Sequence, residues 1–79
     1  MSIVVIEATK TVNDVLRFGG ENLISLPVEG TNKQRLEILL DLYIDKLIAK
    51  NPQYENHNNK KELPDMVVNY LQVMINKES

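Results

Sequence analysis

The sequence predicts an α+β fold dominated by helix: one or two short N-terminal strands, then a long amphipathic helix and a C-terminal helix packed as an αα pair. Three observations carry that expectation. The chain opens on a β-branched run, Ile3-Val4-Val5-Ile6. Residues 31–50 show helical periodicity between clear start and stop signals. Pro64 to Lys77 carries eight large apolar side chains at helical spacing.

The Ile3–Ile6 run reads as a short strand covered on both faces, since β-branched side chains suit a pleated surface. Residues 11–18 admit two readings. Thr11-Val12-Asn13-Asp14 resembles a capping box opening a short helix that ends in a left-handed Gly19-Gly20 pair. The same stretch also fits a hairpin with VLRF and LISL as arms around GGEN. The helix is the preferred reading. Asn22 to Val28 alternates as a strand, with Ile24, Leu26 and Val28 on one face and Leu23 and Ser25 on the other. Pro27 cannot donate to a ladder, which places that strand at an edge.

The long helix is the clearest element. Thr31 and Gln34 have capping-box spacing, Gly30 precedes them, and Asn51-Pro52 follows Lys50. On a helical wheel Leu36, Leu39, Leu40, Tyr43, Ile44, Leu47 and Ile48 fall within a half-circle that faces a core. Ile38 and Leu42 lie on the far flank at i, i+4 and suit a second contact. Residues 51–62 contain four Asn and no aliphatic side chain, which reads as a polar inter-helix loop within a single domain of residues 1–79. The last helix begins near Pro64, and its apolar residues cover an arc of about 220°.

That breadth sets the main functional expectation. Burying one large apolar side chain stabilises by roughly 1.5–3 kcal/mol. Exposing three would forfeit an amount comparable with the whole stability of a small domain. With 79 residues and no cysteine, the chain has neither a large core nor a disulfide to compensate. A second copy of the chain is therefore expected to cover part of the last helix, because one self-complementary patch then serves both subunits. The competing arrangement is a monomer whose N-terminal segment wraps that helix. Candidate partner or dimer contacts are Ile38, Leu42, Met66, Tyr70, Val73 and Met74.

Chemistry is sparse. His57, the lone histidine, sits among Asn56, Asn58 and Asn59 without an orienting partner for general-base work. Gly19-Gly20 and Gly30 do not form a phosphate cradle. The twelve residues 51–62 invite comparison with a calcium loop, but Asn51 replaces the first Asp, Asn56 replaces the turn glycine, and Lys60 and Lys61 add positive charge. No catalytic residue, metal site or cofactor is expected. Glu37, Asp41 and Asp45 recur at i, i+4, i+8 and form a candidate acidic docking edge for a basic partner.

The formal net charge is −2 and no segment is basic, so nucleic acid is an unfavoured partner. No apolar run approaches the roughly 20 residues that cross a bilayer. The first residues lack a basic region before an apolar core, which points to a cytoplasmic protein without a membrane partner.

The leading expectation is a non-enzymatic protein–protein interaction module, a small homodimer acting as an accessory factor, inhibitor or assembly subunit. The alternative is a DNA-binding regulator or antitoxin. The order of a strand at 22–28 and two helices resembles the layout of ribbon-helix-helix repressors, whose resemblance implies an obligate dimer with a much-buried second helix. Glu21 and Glu29 would flank the DNA-reading strand, and the inter-helix loop is longer than in that family.

Overall fold

Residues 3–18 form one helix, not a strand followed by a short helix. In the computed structural model, which describes residues 2–78, α1 spans Ile3–Phe18, α2 Asn32–Lys50 and α3 Met66–Lys77. Two 3-10 turns, Pro52–Asn56 and Lys60–Glu62, occupy the polar connection between α2 and α3. No strand occurs among the described residues, so the expected α+β class is corrected to all-α.

The physical reason lies in what α1 buries. Val5, Ala8, Thr9, Val12 and Leu16 are buried and follow helical spacing across the whole segment. β-branched residues lose only a few tenths of a kcal/mol each to helix propensity, whereas full burial of Val5 and Val12 stabilises by roughly 1.5–3 kcal/mol apiece. An isolated strand also needs a partner to satisfy its backbone, and the described residues offer none. Thr9 satisfies its buried hydroxyl locally by donating to the Val5 carbonyl at 2.8 Å.

The helix stops where the glycines require it. Glu21 N–H donates to the Leu16 carbonyl at 2.8 Å and Gly20 N–H to that of Arg17 at 3.0 Å, with Gly20 at φ +74°. This is a Schellman ending, and the hairpin alternative for residues 15–26 is thereby overturned.

The Asn22–Val28 strand is likewise corrected. The segment is extended but pairs with a side chain: Asn13 Nδ2 donates to the Ile24 carbonyl at 2.9 Å, and Ile24 N–H donates to Asn13 Oδ1 at 2.8 Å. Ile24 is buried and Leu26 packs on the core, while Leu23 and Val28 are exposed. One amide thus imitates a rung of a β-ladder and fixes the connection to α1. Replacing Asn13 with Ala strands both backbone groups of Ile24 and is expected to cost about 1–2 kcal/mol. Urea denaturation measures it; an unchanged midpoint would mean that water replaces the amide at no cost.

α2 opens on the capping box expected for it. Gln34 N–H donates to Thr31 Oγ1 at 3.1 Å, and Thr31 N–H donates to Gln34 Oε1 at 2.8 Å. Gly30 has φ +97°, and a Cβ there would lie 2.6 Å from Gln34 Oε1, so only glycine admits the returning side chain. α3 is capped by Asp65, whose Oδ1 accepts from Val67 N–H at 2.8 Å and Val68 N–H at 3.0 Å.

α2 is the central element, with α3 and α1 both packed on it. A single core joins Val12, Leu36, Leu40, Leu63 and Leu71 with their neighbours. The radius of gyration is 12.1 Å, close to the roughly 11.6 Å of a compact domain of this length. The accessible surface of 5077 Å² likewise matches the roughly 4,900 Å² of a folded monomer of 9.1 kDa. The chain closes its own core, and less of α3 needs outside cover than its sequence suggests. Val67, Val68, Leu71 and Ile75 are buried, Tyr70 and Met74 are half-buried, and Met66 and Val73 remain exposed.

Candidate functional site

Because α1 and α3 both rest on α2 and touch each other little, an open groove of about 510 Å³ lies between them. Thr11 and Val15 of α1 form one wall, Met66 and Tyr70 of α3 the other, and Tyr43 of α2 lies at its base. Just beyond Val15 stands Phe18, 97% exposed, beside a second depression lined by Leu47, Lys46 and Lys50. Val15 and Tyr43 border both hollows, so the apolar face is continuous. Met66 is 87% exposed at its far edge. An almost naked phenylalanine beside an apolar groove is the kind of surface that marks an interaction site.

The spacing of α1 explains the face. Val5, Ala8, Val12 and Leu16 point inward, which turns Thr11, Val15 and Phe18 to the adjacent flank at i, i+4, i+7. On the next strip, Asp14 bridges Lys10 at 2.9 Å and Arg17 at 3.1 Å, giving the face a charged rim. The hydrogen bond from Lys10 holds the Asp14 carboxyl below its ordinary range. At the other end Lys50 pairs with Glu21 at 3.4 Å.

Two polar groups within the groove, the Tyr43 hydroxyl and the Asp65 carboxylate, are committed to the fold. Tyr43 hydroxyl donates to the Asp65 carboxylate, 2.9 Å from each oxygen, while Asp65 also caps α3. Burial, then the hydrogen bond to Asp65 and its negative charge, push the Tyr43 hydroxyl well above the ordinary tyrosine value of 10.0. The sign follows: the fold prefers the neutral phenol, so this contribution is complete below pH 10 and is lost as pH rises beyond it. The wild-type Tm is expected to fall more steeply between pH 9.5 and 11.5 than that of Tyr43→Phe, at roughly the same salt. Parallel curves would refute the linkage.

The candidate contacts named from the sequence separate into groups. Met66 and Tyr70 line the groove. Val73 is exposed and Met74 half-buried farther along α3. Ile38 and Leu42, 43% and 41% exposed, lie on the outward face of α2, where Leu42 shares a different depression with Leu23. The structure therefore does not bring all six together. Asp41 and Asp45 are exposed and Glu37 half-buried, but Asp41 and Asp45 share their hollow with Lys60 and Lys61, so the acidic edge meets positive charge from its own chain. Lys60 donates to the Glu55 and His57 carbonyls at 3.0 and 3.3 Å, which holds the loop in place.

Phe18 and Val15 were not singled out in the sequence. The signal was the spacing Thr11-Val15-Phe18, visible only once residues 3–18 are taken as a single helix. His57 is exposed, with its ring Nδ1 hydrogen-bonded to the Asn59 carbonyl at 3.0 Å. No group of three or more His, Asp or Glu among the described residues is arranged to hold a metal ion. No described helix is long and apolar enough to cross a membrane. Comparison with protein families, curated proteins and solved structures finds no match to this chain.

Proposed function

We propose that the protein is a non-enzymatic protein–protein interaction module that docks through the apolar face of α1 and α3. The observation that carries this reading is the 97% exposure of Phe18 beside the groove, the highest among the exposed large apolar side chains, with Met66 at 87% on the opposite edge. An exposed aromatic next to a concave apolar surface has the form of an interface anchor. The Tyr43 hydroxyl and the Asp65 carboxylate inside the groove serve the fold, which favours contact over chemistry. The cytoplasmic setting expected from the sequence belongs to this proposal.

The ribbon-helix-helix reading is the less favoured one: its DNA-reading ribbon requires a strand at 22–28, whereas no strand occurs among the described residues and both backbone groups of Ile24 are hydrogen-bonded to Asn13 of α1 in the same chain.

A photoreactive amino acid placed at Phe18 tests the proposal in the cell of origin, with one at the exposed Gln53 as control. One recurrent adduct mass from position 18 and none from 53 is the expected result. Failure of position 18 to capture any protein, or equal capture at both positions, would sink it.

A further inference from the structure

We infer that residues 22–28 receive an extended peptide segment of another protein as an added β-strand, on the edge that faces away from α1. Ile24 N–H donates to Asn13 Oδ1, and the Ile24 carbonyl accepts from Asn13 Nδ2. A residue presents both groups on one side only when its backbone is extended, as in a hydrogen-bonded pair of an antiparallel ladder. Planar trans peptides then fix the neighbours. The Leu23 carbonyl lies antiparallel to Ile24 N–H, and Ser25 N–H lies antiparallel to the Ile24 carbonyl, so both point away from Asn13. Among the described residues neither has a hydrogen-bond partner, and Leu23 and Ser25 are exposed. An acceptor and a donor with strand-edge spacing are therefore open to a second strand.

The segment is also held in place. Ile24 and Pro27 are buried and the Asn13 amide grips the backbone between α1 and the turn into α2, so an added strand finds its template already ordered.

The surroundings suit a peptide. Leu23, Ile24 and Ser25 line one side of a depression of about 380 Å³, and Leu42, Asp45 and Lys46 of α2 line the other. Side chains of an added strand project alternately, so every second one is set against exposed Leu23 and Leu42. Asp45 and Lys46 contribute one charge of each sign, so the wall selects no net charge. Main-chain hydrogen bonds with an apolar side chain for fit are the mode of β-strand addition. Pro27 has no N–H to give, which stops the ladder after Ser25 and keeps the contact short. A free terminus or linker fits this edge better than a second folded copy, whose own residues 22–28 lie beside the same α2 wall and bring it along. The site is separate from the α1/α3 face and does not depend on it.

Short random peptides displayed on phage and selected on the immobilised chain supply the probe. Selected peptides are expected to bind the wild-type chain and to protect Ser25 N–H from hydrogen exchange. Ser25→Pro removes that donor, while proline and its effect on Ile24 both favour the extended backbone already present, so its Tm should stay at wild type. It should weaken peptide binding about tenfold, the effect of one stranded hydrogen bond. Ser25→Ala keeps the N–H and should bind as wild type does. In the peptide, N-methylation of one alternate set of residues should abolish binding and of the other set should spare it. The methylated peptides decide the matter even if Ser25→Pro lowers the Tm. Three results overturn the inference: no peptide is enriched, a folded Ser25→Pro binds as tightly as wild type, or the two methylation sets have equal effects. Peptides lost on Phe18→Asp and retained on Ser25→Pro would assign the binding to the α1/α3 face, which overturns this inference and leaves the interaction module standing.

Discussion

Leu71→Asp is expected to abolish cooperative unfolding, leaving a chain with helical fragments at most and no sharp thermal transition. Leu71 is fully buried on α3, in the same core as Leu36, Leu40 and Val12. A carboxylate there has no partner, and burying an unpaired charge costs more than a small domain has to lose. Leu71→Ala is the graded companion. It removes the same contacts without adding charge and is expected to cost about 2–5 kcal/mol, or about 4–8 °C of Tm for each kcal/mol. Circular dichroism melts measure both. A folded Leu71→Asp variant with a Tm near wild type would mean that α3 detaches at little cost and that α1 and α2 hold the fold alone.

The second large effect is expected at Asp65. Asp65→Ala removes the N-cap of α3, about 0.5–2 kcal/mol, and strands the hydroxyl of Tyr43, which is 6% exposed, at about 1–3 kcal/mol more. The loss should therefore reach about 2–4 kcal/mol. Asp65→Asn keeps an oxygen for the cap and for the phenol and should lose about half as much or less. Urea titrations of the two variants beside Tyr43→Phe resolve the contributions. If Asp65→Ala costs no more than Tyr43→Phe, the cap contributes nothing and α3 is held by packing alone.

Asp65 shows how far reading along the chain can go. Pro64 marked the start of α3 to within two residues, but Pro64 itself precedes the cap. The partnership of Asp65 with Tyr43, 22 residues earlier, follows from the packing of α3 on α2. Similarly, the capping box of Thr31 and Gln34 was legible because both partners lie three residues apart. The Gly19-Gly20 ending was legible because a left-handed backbone selects glycine.

In the N-terminal third, local preference and tertiary burial point to different structures. Ile3-Val4-Val5-Ile6 has strand-like local preferences, and the spacing of Val5, Ala8, Thr9, Val12 and Leu16 signals a helix only when the two pieces are read as one. Propensity was outweighed by burial against α2. The alternation at 22–28 correctly placed Ile24 inward, yet the partner of its backbone is an amide eleven residues away.

The candidate face was legible in part. Met66 and Tyr70 stood out because too much of α3 is apolar for one neighbour to cover. Phe18 did not stand out, because a phenylalanine in an amphipathic helix is ordinarily a core residue.

By itself, the sequence determined where α2 and α3 run, how α1 and α2 are capped or ended, and which side chains of the last two helices seek a core. Those features depend on groups within about one helical turn of each other. Only the tertiary structure decided that residues 3–18 are one helix, that Asn13 stands in for a strand, and that Phe18 is left in the open beside a groove. Each of these depends on which distant surface is available to bury a side chain or satisfy a backbone group, and that availability exists only after the three helices have packed.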